Sequence, residues 1–177
     1  MTWTDLITSA MNETYKVTDS LMSMVDDSEL DWKPATGSNW MTNGQLLSHL
    51  TNACGLCCQG FVTGDWGMPE GMELSDIPPE EMLPPAEKLP TVDSVADARR
   101  LLTADMELGL RMLAEAGEDR LENEMMRAPW DGPDCGDKRL GEHLLGMVQH
   151  LASHKSQLFY YLKLQGKDVN THHLWSA

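Results

Sequence analysis

His150 and His154 stand four residues apart in the run QHLASHKSQL, and a third histidine, His49, lies far upstream in QLLSHL. On a helix, a four-residue step rotates by roughly 40° and rises by about 6 Å, so the two imidazoles of the pair aim at one point and can chelate a metal ion. A third imidazole from another helix makes three neutral ligands and an incomplete shell. That is the usual arrangement of a catalytic zinc with a position left for water or substrate, whereas thiolate sites are closed. The competing reading is that these are surface or hydrogen-bonded core histidines, because a bare HxxxH arises often by chance.

A metal held by three neutral ligands keeps its double positive charge and acidifies whatever binds fourth. Water falls to a pKa of about 7 at such sites. A small thiol there becomes a thiolate, the form that attacks an electrophile. Hydrolysis would also want a carboxylate base beside the water. In HExxH sites a glutamate follows the first histidine, but here Leu151 takes that position and Ser153 precedes the second histidine. The pattern therefore favours thiol activation or a base supplied by a loop. Imidazole ligands suit zinc, nickel, iron and copper alike, so the ligand set does not name the metal.

Other residues near the pair carry less. His143 lies seven residues before His150, about 10.5 Å along a helix, which places it as core lining or as a support to the ligands. Gln157 is one turn beyond His154 and can orient a ligand or substrate, with a surface hydrogen bond the alternative. Tyr160 and Tyr161 have acidic hydroxyls, although packing is the commoner use of such rings. His172 and His173 sit in a polar tail, and Trp175 is placed to pin that tail to the body or to a partner. The methionines read as adaptable packing rather than a copper site.

Four helical stretches must position these groups, at about 4–25, 43–62, 92–116 and 138–165. The first carries Leu6, Ile7, Ala10, Val17, Leu21, Met24 and Val25 near the helical period. The second opens at TNGQ, where Thr42 can cap and Gln45 can reach back as a capping box, and His49 falls in its second turn. The third carries Val95, Leu102, Met106, Leu110 and Leu113, with Gly117 as its stop. The fourth, capped by Asp137, carries Leu140, Leu144, Met147, Leu151, Leu158 and Leu162 and ends at Gly166. No strand shows comparable periodicity. A long segment between the second and third helices, GDWGMPEGMELSDIPPEEMLPPAEKLP, holds six of the nine prolines and is too broken for regular structure. It is long enough to cross a bundle and to cover a site, and it lets the helices on either side run parallel.

The 177 residues fit a single domain, 1–177, with 41% hydrophobic content for a core and no apolar run long enough for a membrane span. The start shows no basic region followed by an apolar stretch, so a cytoplasmic protein with reduced thiols is expected. Cys54, Cys57 and Cys58 crowd one helical segment and Cys135 sits alone, which reads as buried small side chains rather than a disulfide framework or a zinc knuckle. With 13 basic and 28 acidic residues the net charge is −15, a surface that repels a phosphate backbone and excludes nucleic acid as a partner.

Trp40 just before the second helix, His49 within LLSHL, and the stretch HLASHKSQLFYYLKLQG together resemble the DinB/YfiT-like four-helix-bundle metalloproteins over essentially the whole chain. That resemblance implies an all-α, four-helix bundle in up-down-down-up order. It also implies one divalent metal ion, zinc or nickel, on His49, His150 and His154, and a homodimer. Some members of the family use mycothiol or bacillithiol as a co-substrate and others are described as hydrolases. The basic or glycine residues usual after the last histidine are replaced here by Lys155 and Ser156. The expectation is a metal-dependent thiol transferase or hydrolase acting on a small molecule, without nucleic-acid or membrane partners. The alternative is a noncatalytic, dimeric metal-binding bundle in stress response.

Overall fold

Thr2 begins the first helix by accepting the Asp5 backbone N–H while Asp5 reaches back to the Thr2 N–H, a complete capping box. From there α1 (Trp3–Met22) places Ile7, Met11, Tyr15, Thr18 and Leu21–Met22 on its buried face at intervals of three and four. The computed structural model describes residues 1–69, 71, 72, 77, 84–132 and 134–175. The middle of the proline-rich segment expected to cover the site lies outside the described residues.

The second helical stretch is two helices, not one. Thr42 and Gln45 form their capping box and start α2 (Asn43–Leu50), but the chain breaks at Thr51–Cys54 and resumes as α3 (Gly55–Thr63). The expected continuous helix over 43–62 fails here for a tertiary reason. The Asp105 carboxylate, from the middle of α4 (Val95–Asn123), accepts the Gly55 and Leu56 backbone N–H groups at 2.9 Å each. Those two donors are thereby withdrawn from the α2 ladder. Gly55 permits the approach, since a Cβ there would overlap the Asp105 carbonyl, and Gly109 on α4 packs against the Gly55 Cα.

One further boundary agrees with expectation and one differs. Gly117 does end the regular helix: its non-helical backbone (φ 67°, ψ 163°) makes a kink, beyond which a second helical segment runs to Asn123. The turns beyond the kink place Glu118 over the start of α1, where it accepts the Trp3 and Thr4 backbone N–H groups. The last long helix is not capped by Asp137. Lys138–Arg139 forms β2 of a two-residue antiparallel ribbon with β1 (Met125–Met126), and α5 (Leu140–Leu164) follows with Glu142 accepting the Arg139 N–H. The tail folds as α6 (Thr171–Trp175). It is held by the Lys155 Nζ, which donates to the Leu174 carbonyl and lies over the Trp175 ring, itself largely exposed.

Contacts at helix ends set the topology. Trp3 meets Glu118 and Asp19 pairs with Arg99, so α1 and α4 are antiparallel. Gly55 meets Asp105 and the Val62 carbonyl meets Arg120, so α3 runs with α4. Asn43 bonds Gln165 while His49 meets His150, so α2 runs against α5. Trp3 packs over Gly141 and Lys167 pairs with Asp26, so α5 runs with α1. Treating α2 and α3 as one broken arm, the order is up-down-down-up, an all-α bundle around Leu46, Leu50, Leu102, Leu113, Leu144, Leu151 and Leu158. Among the described residues no helix is long and apolar enough to cross a membrane.

Candidate metal centre

The antiparallel run of α2 against α5 brings His49 to the paired face of His150 and His154, and the three form a group able to hold a metal ion. The Nε2 atoms of His49 and His150 are 3.3 Å apart and those of His150 and His154 are 3.1 Å apart. An ion about 2.0–2.1 Å from each nitrogen sets neighbouring nitrogens about 2.8–3.4 Å apart, from the octahedral to the tetrahedral limit. The separations fit.

The protons also fit, and this is the stricter test. The His150 Nδ1 lies 3.0 Å from the Ala53 carbonyl oxygen, which only accepts, so Nδ1 carries the hydrogen and Nε2 presents its lone pair. For His154 the same conclusion comes from a chain of bonds. The Tyr161 hydroxyl donates to the Met41 carbonyl at 3.0 Å and accepts from the Gln157 amide nitrogen at 3.1 Å. Gln157 Oε1 is thus left to accept from the His154 Nδ1–H at 3.0 Å. Two lone pairs therefore face each other across 3.1 Å between His150 and His154, an arrangement that repels unless a cation sits between them.

Burial reinforces neutrality. It pushes the His49 pKa down to about 4, with the other two imidazoles adding to the effect, and it also lowers His154. Neutral imidazole is the metal-binding form. Among the described residues no carboxylate or thiol joins the three histidines.

Beside His49 is a pocket of about 150 Å³ lined by Gln45, Ser48, Asn52, Leu89 and Pro90. The Gln45 side-chain amide donates to the Leu89 carbonyl at 3.0 Å, tying the end of the proline-rich segment to α2. That segment thus reaches the neighbourhood of the site, as its length suggested.

The remaining nominated residues lie elsewhere. His143 stacks on Phe61 with centroids 4.5 Å apart, and its Nε2 bonds the Met126 carbonyl, so it lines the core. Gln157 orients His154. Tyr161 anchors that chain and packs edge-on against Trp32 and Trp40, while Tyr160 is exposed. His172 and His173 stay in the tail, the latter accepting the Asn170 N–H. All four cysteines are free thiols. Burial raises Cys57 to about 12, and Cys58 is raised by its bond to Cys54 and by burial, so both are protonated packing groups.

Sequence reasoning missed the Ala53 carbonyl, the Met41 carbonyl, and Asp105 with its partner Tyr15, whose hydroxyl donates to it at 2.6 Å. One signal was legible: Gly55 in the middle of a proposed helix marks a break or a close backbone approach. No curated protein and no solved structure matches the chain. A model of the DinB superfamily matches residues 10–158, a span that contains all three histidines, and the chain belongs to that superfamily.

Proposed function

We propose that the protein is a divalent-metal-dependent enzyme that activates a small thiol for transfer to an electrophilic carbon. The observation that carries this reading is the set of converging Nε2 lone pairs, two of them fixed by Nδ1–H donors, with no carboxylate base joining them among the described residues. A divalent ion on these nitrogens, zinc or nickel, supplies a Lewis-acid position that lowers the pKa of a thiol placed there.

The residues of the chain do the rest. Ala53 and Gln157 hold two imidazoles in the tautomer and orientation that present Nε2. His49, with its pKa near 4, stays neutral at physiological pH and presents a lone pair instead of competing for a proton. Ser48 and Asn52 give the adjoining pocket uncharged hydrogen-bonding groups, and Leu89 and Pro90 give it an apolar wall. In the transfer itself the thiol loses its proton to solvent, sulfur forms a bond to carbon, and the leaving group departs with the electron pair of the broken bond. A hydrolase would need a base near the same position, and thiol transfer does not.

Elemental analysis of untagged wild type beside His49→Ala and His154→Ala tests the reading, with each protein titrated with a small thiol. About one metal per chain, lost in the variants, with thiol binding only to loaded wild type, is expected. Absence of metal after repletion overturns the metal reading. Metal without thiol binding overturns thiol activation and leaves the noncatalytic bundle.

A further inference from the structure

We propose that Asp105, buried on α4 and outside the histidine group, is a positioning residue for the metal centre: by capping α3 it holds open the break that frees the Ala53 carbonyl to orient His150. The proposal rests on the histidines being metal ligands, and on no particular reaction.

Backbone accounting carries the argument. In an unbroken helix over 43–63, the Gly55 N–H would bond the Thr51 carbonyl, Leu56 would bond Asn52, and Cys57 would bond Ala53. The structure replaces the first two of these bonds with bonds to Asp105 Oδ2 and Oδ1, both at 2.9 Å. The Ala53 carbonyl, released from the ladder, accepts the His150 Nδ1–H at 3.0 Å. An acceptor aimed at Nδ1 from outside the ligand shell fixes tautomer and ring orientation, and such partners are typically worth about 10- to 100-fold in metal affinity.

Asp105 is itself held from a third side. The Tyr15 hydroxyl donates to Oδ2 at 2.6 Å, so α1, α3 and α4 meet at one carboxylate. Its hydrogen-bond partners are all donors, and among the described residues no cation pairs with it. A carboxylate only 5% exposed is costly to keep without ion pairing. A plain helix cap does not require this: serine or threonine on the helix's own N-terminus would do it, as Thr2 and Ser94 do for α1 and α4. At α3 the residue before the helix, Cys54, makes no side-chain cap, and the Asp105 carboxylate does that work across the break.

The fold carries its own control. Glu118, also on α4, accepts the Trp3 and Thr4 N–H groups at 2.8 and 3.0 Å and so caps α1 with the same chemistry, on a helix that bears no metal ligand.

The test is zinc affinity by chelator competition for wild type, Asp105→Asn, Asp105→Ala and Glu118→Gln, each at a temperature where the metal-free protein is folded. The expected result is roughly a tenfold loss or more in Asp105→Ala and a smaller loss in Asp105→Asn, which keeps one acceptor oxygen. Glu118→Gln should lower the melting temperature with affinity unchanged. In 15N-histidine spectra of the zinc-loaded Asp105 variants, the His150 Nδ1–H signal should weaken while that of His154 persists.

If the Asp105 variants do not fold, wild type still decides. By linkage, zinc must strengthen the Asp105 cap by the factor through which the cap strengthens zinc binding. The Gly55 and Leu56 amides should therefore slow in hydrogen exchange on zinc loading more than the Trp3 and Thr4 amides do. Equal slowing, or Asp105 variants with wild-type affinity and an intact His150 signal, overturns the proposal. A wild type that binds no zinc overturns the metal centre itself.

Discussion

Two polar clusters lie on either side of the break between α2 and α3, and they solve burial in opposite ways. Around Asp105 every contact complements its neighbour: two backbone N–H groups and one phenol donate to one carboxylate. Around His49, His150 and His154 the outer nitrogens of two rings are satisfied while their inner nitrogens face each other as lone pairs. The first cluster is closed and adds to stability. The second is closed on its outside and leaves nitrogens converging on its inside, where the three rings could hold a metal ion. Unsatisfied groups that converge mark function more reliably than buried polarity alone.

The contrast is broken most strongly by removing a ligand. His154→Ala should lower metal affinity by at least about 100-fold, read by chelator competition, because a two-imidazole remnant holds divalent ions weakly. In the metal-free protein the same change should shift unfolding free energy by less than about 1 kcal/mol, since relief of facing lone pairs offsets the lost packing. Asp105→Ala should do the reverse in metal-free denaturant unfolding. It strands three donors and should cost about 3 kcal/mol or more. Equal stability losses would mean that the two clusters do not differ in kind.

A smaller effect sharpens the outer half of the histidine site. Gln157→Leu removes the acceptor for the His154 Nδ1–H and should weaken metal binding about tenfold. Tyr161→Phe should do less, because it leaves Gln157 in place and only unfixes which way its amide points.

The smallest effect is in pH. The folded pKa of His49 lies near 4, below the ordinary 6.5, so as pH falls the unfolded chain takes up that proton first. Its contribution to metal-free stability is complete above about pH 6.5 and is lost as pH falls toward 4. Asp105 works in the opposite sense, since burial raises its pKa above 3.8 and its share of stability falls as pH rises through that raised value. The difference between wild type and His49→Gln removes the Asp105 contribution. That difference should decline from pH 7 to pH 4, and a flat profile would place His49 in a more hydrated setting than the structure gives it.

Much of this was readable in one dimension. The i, i+4 pair at His150 and His154 states its own geometry once the segment is helical, and the apolar spacing of 140–162 makes it so. Thr42 and Gln45 announce their capping box three residues apart. Boundaries decided by distant partners were not readable. The Thr51–Cys54 break follows from Asp105, about fifty residues further along the chain. The stop at Gly117 was readable, whereas the short helical segment beyond it, whose Glu118 is held by the start of α1, was not. The start of α5 was misplaced because a two-residue ribbon, too short to show a period, occupies Lys138–Arg139.

What the order of residues settles here is whatever depends on neighbours within a turn or two, or on composition alone: helices, their local caps, the i, i+4 histidine pair, and a net charge of −15. The approach of His49 to that pair, the hydrogen bonds that set the tautomers of His150 and His154, and the Ala53 carbonyl that makes one of them depend on groups tens of residues apart. Those are fixed only when α2, α3, α4 and α5 close around a common core, because a hydrogen bond's partner is chosen by position in space and sequence records spacing along the chain alone.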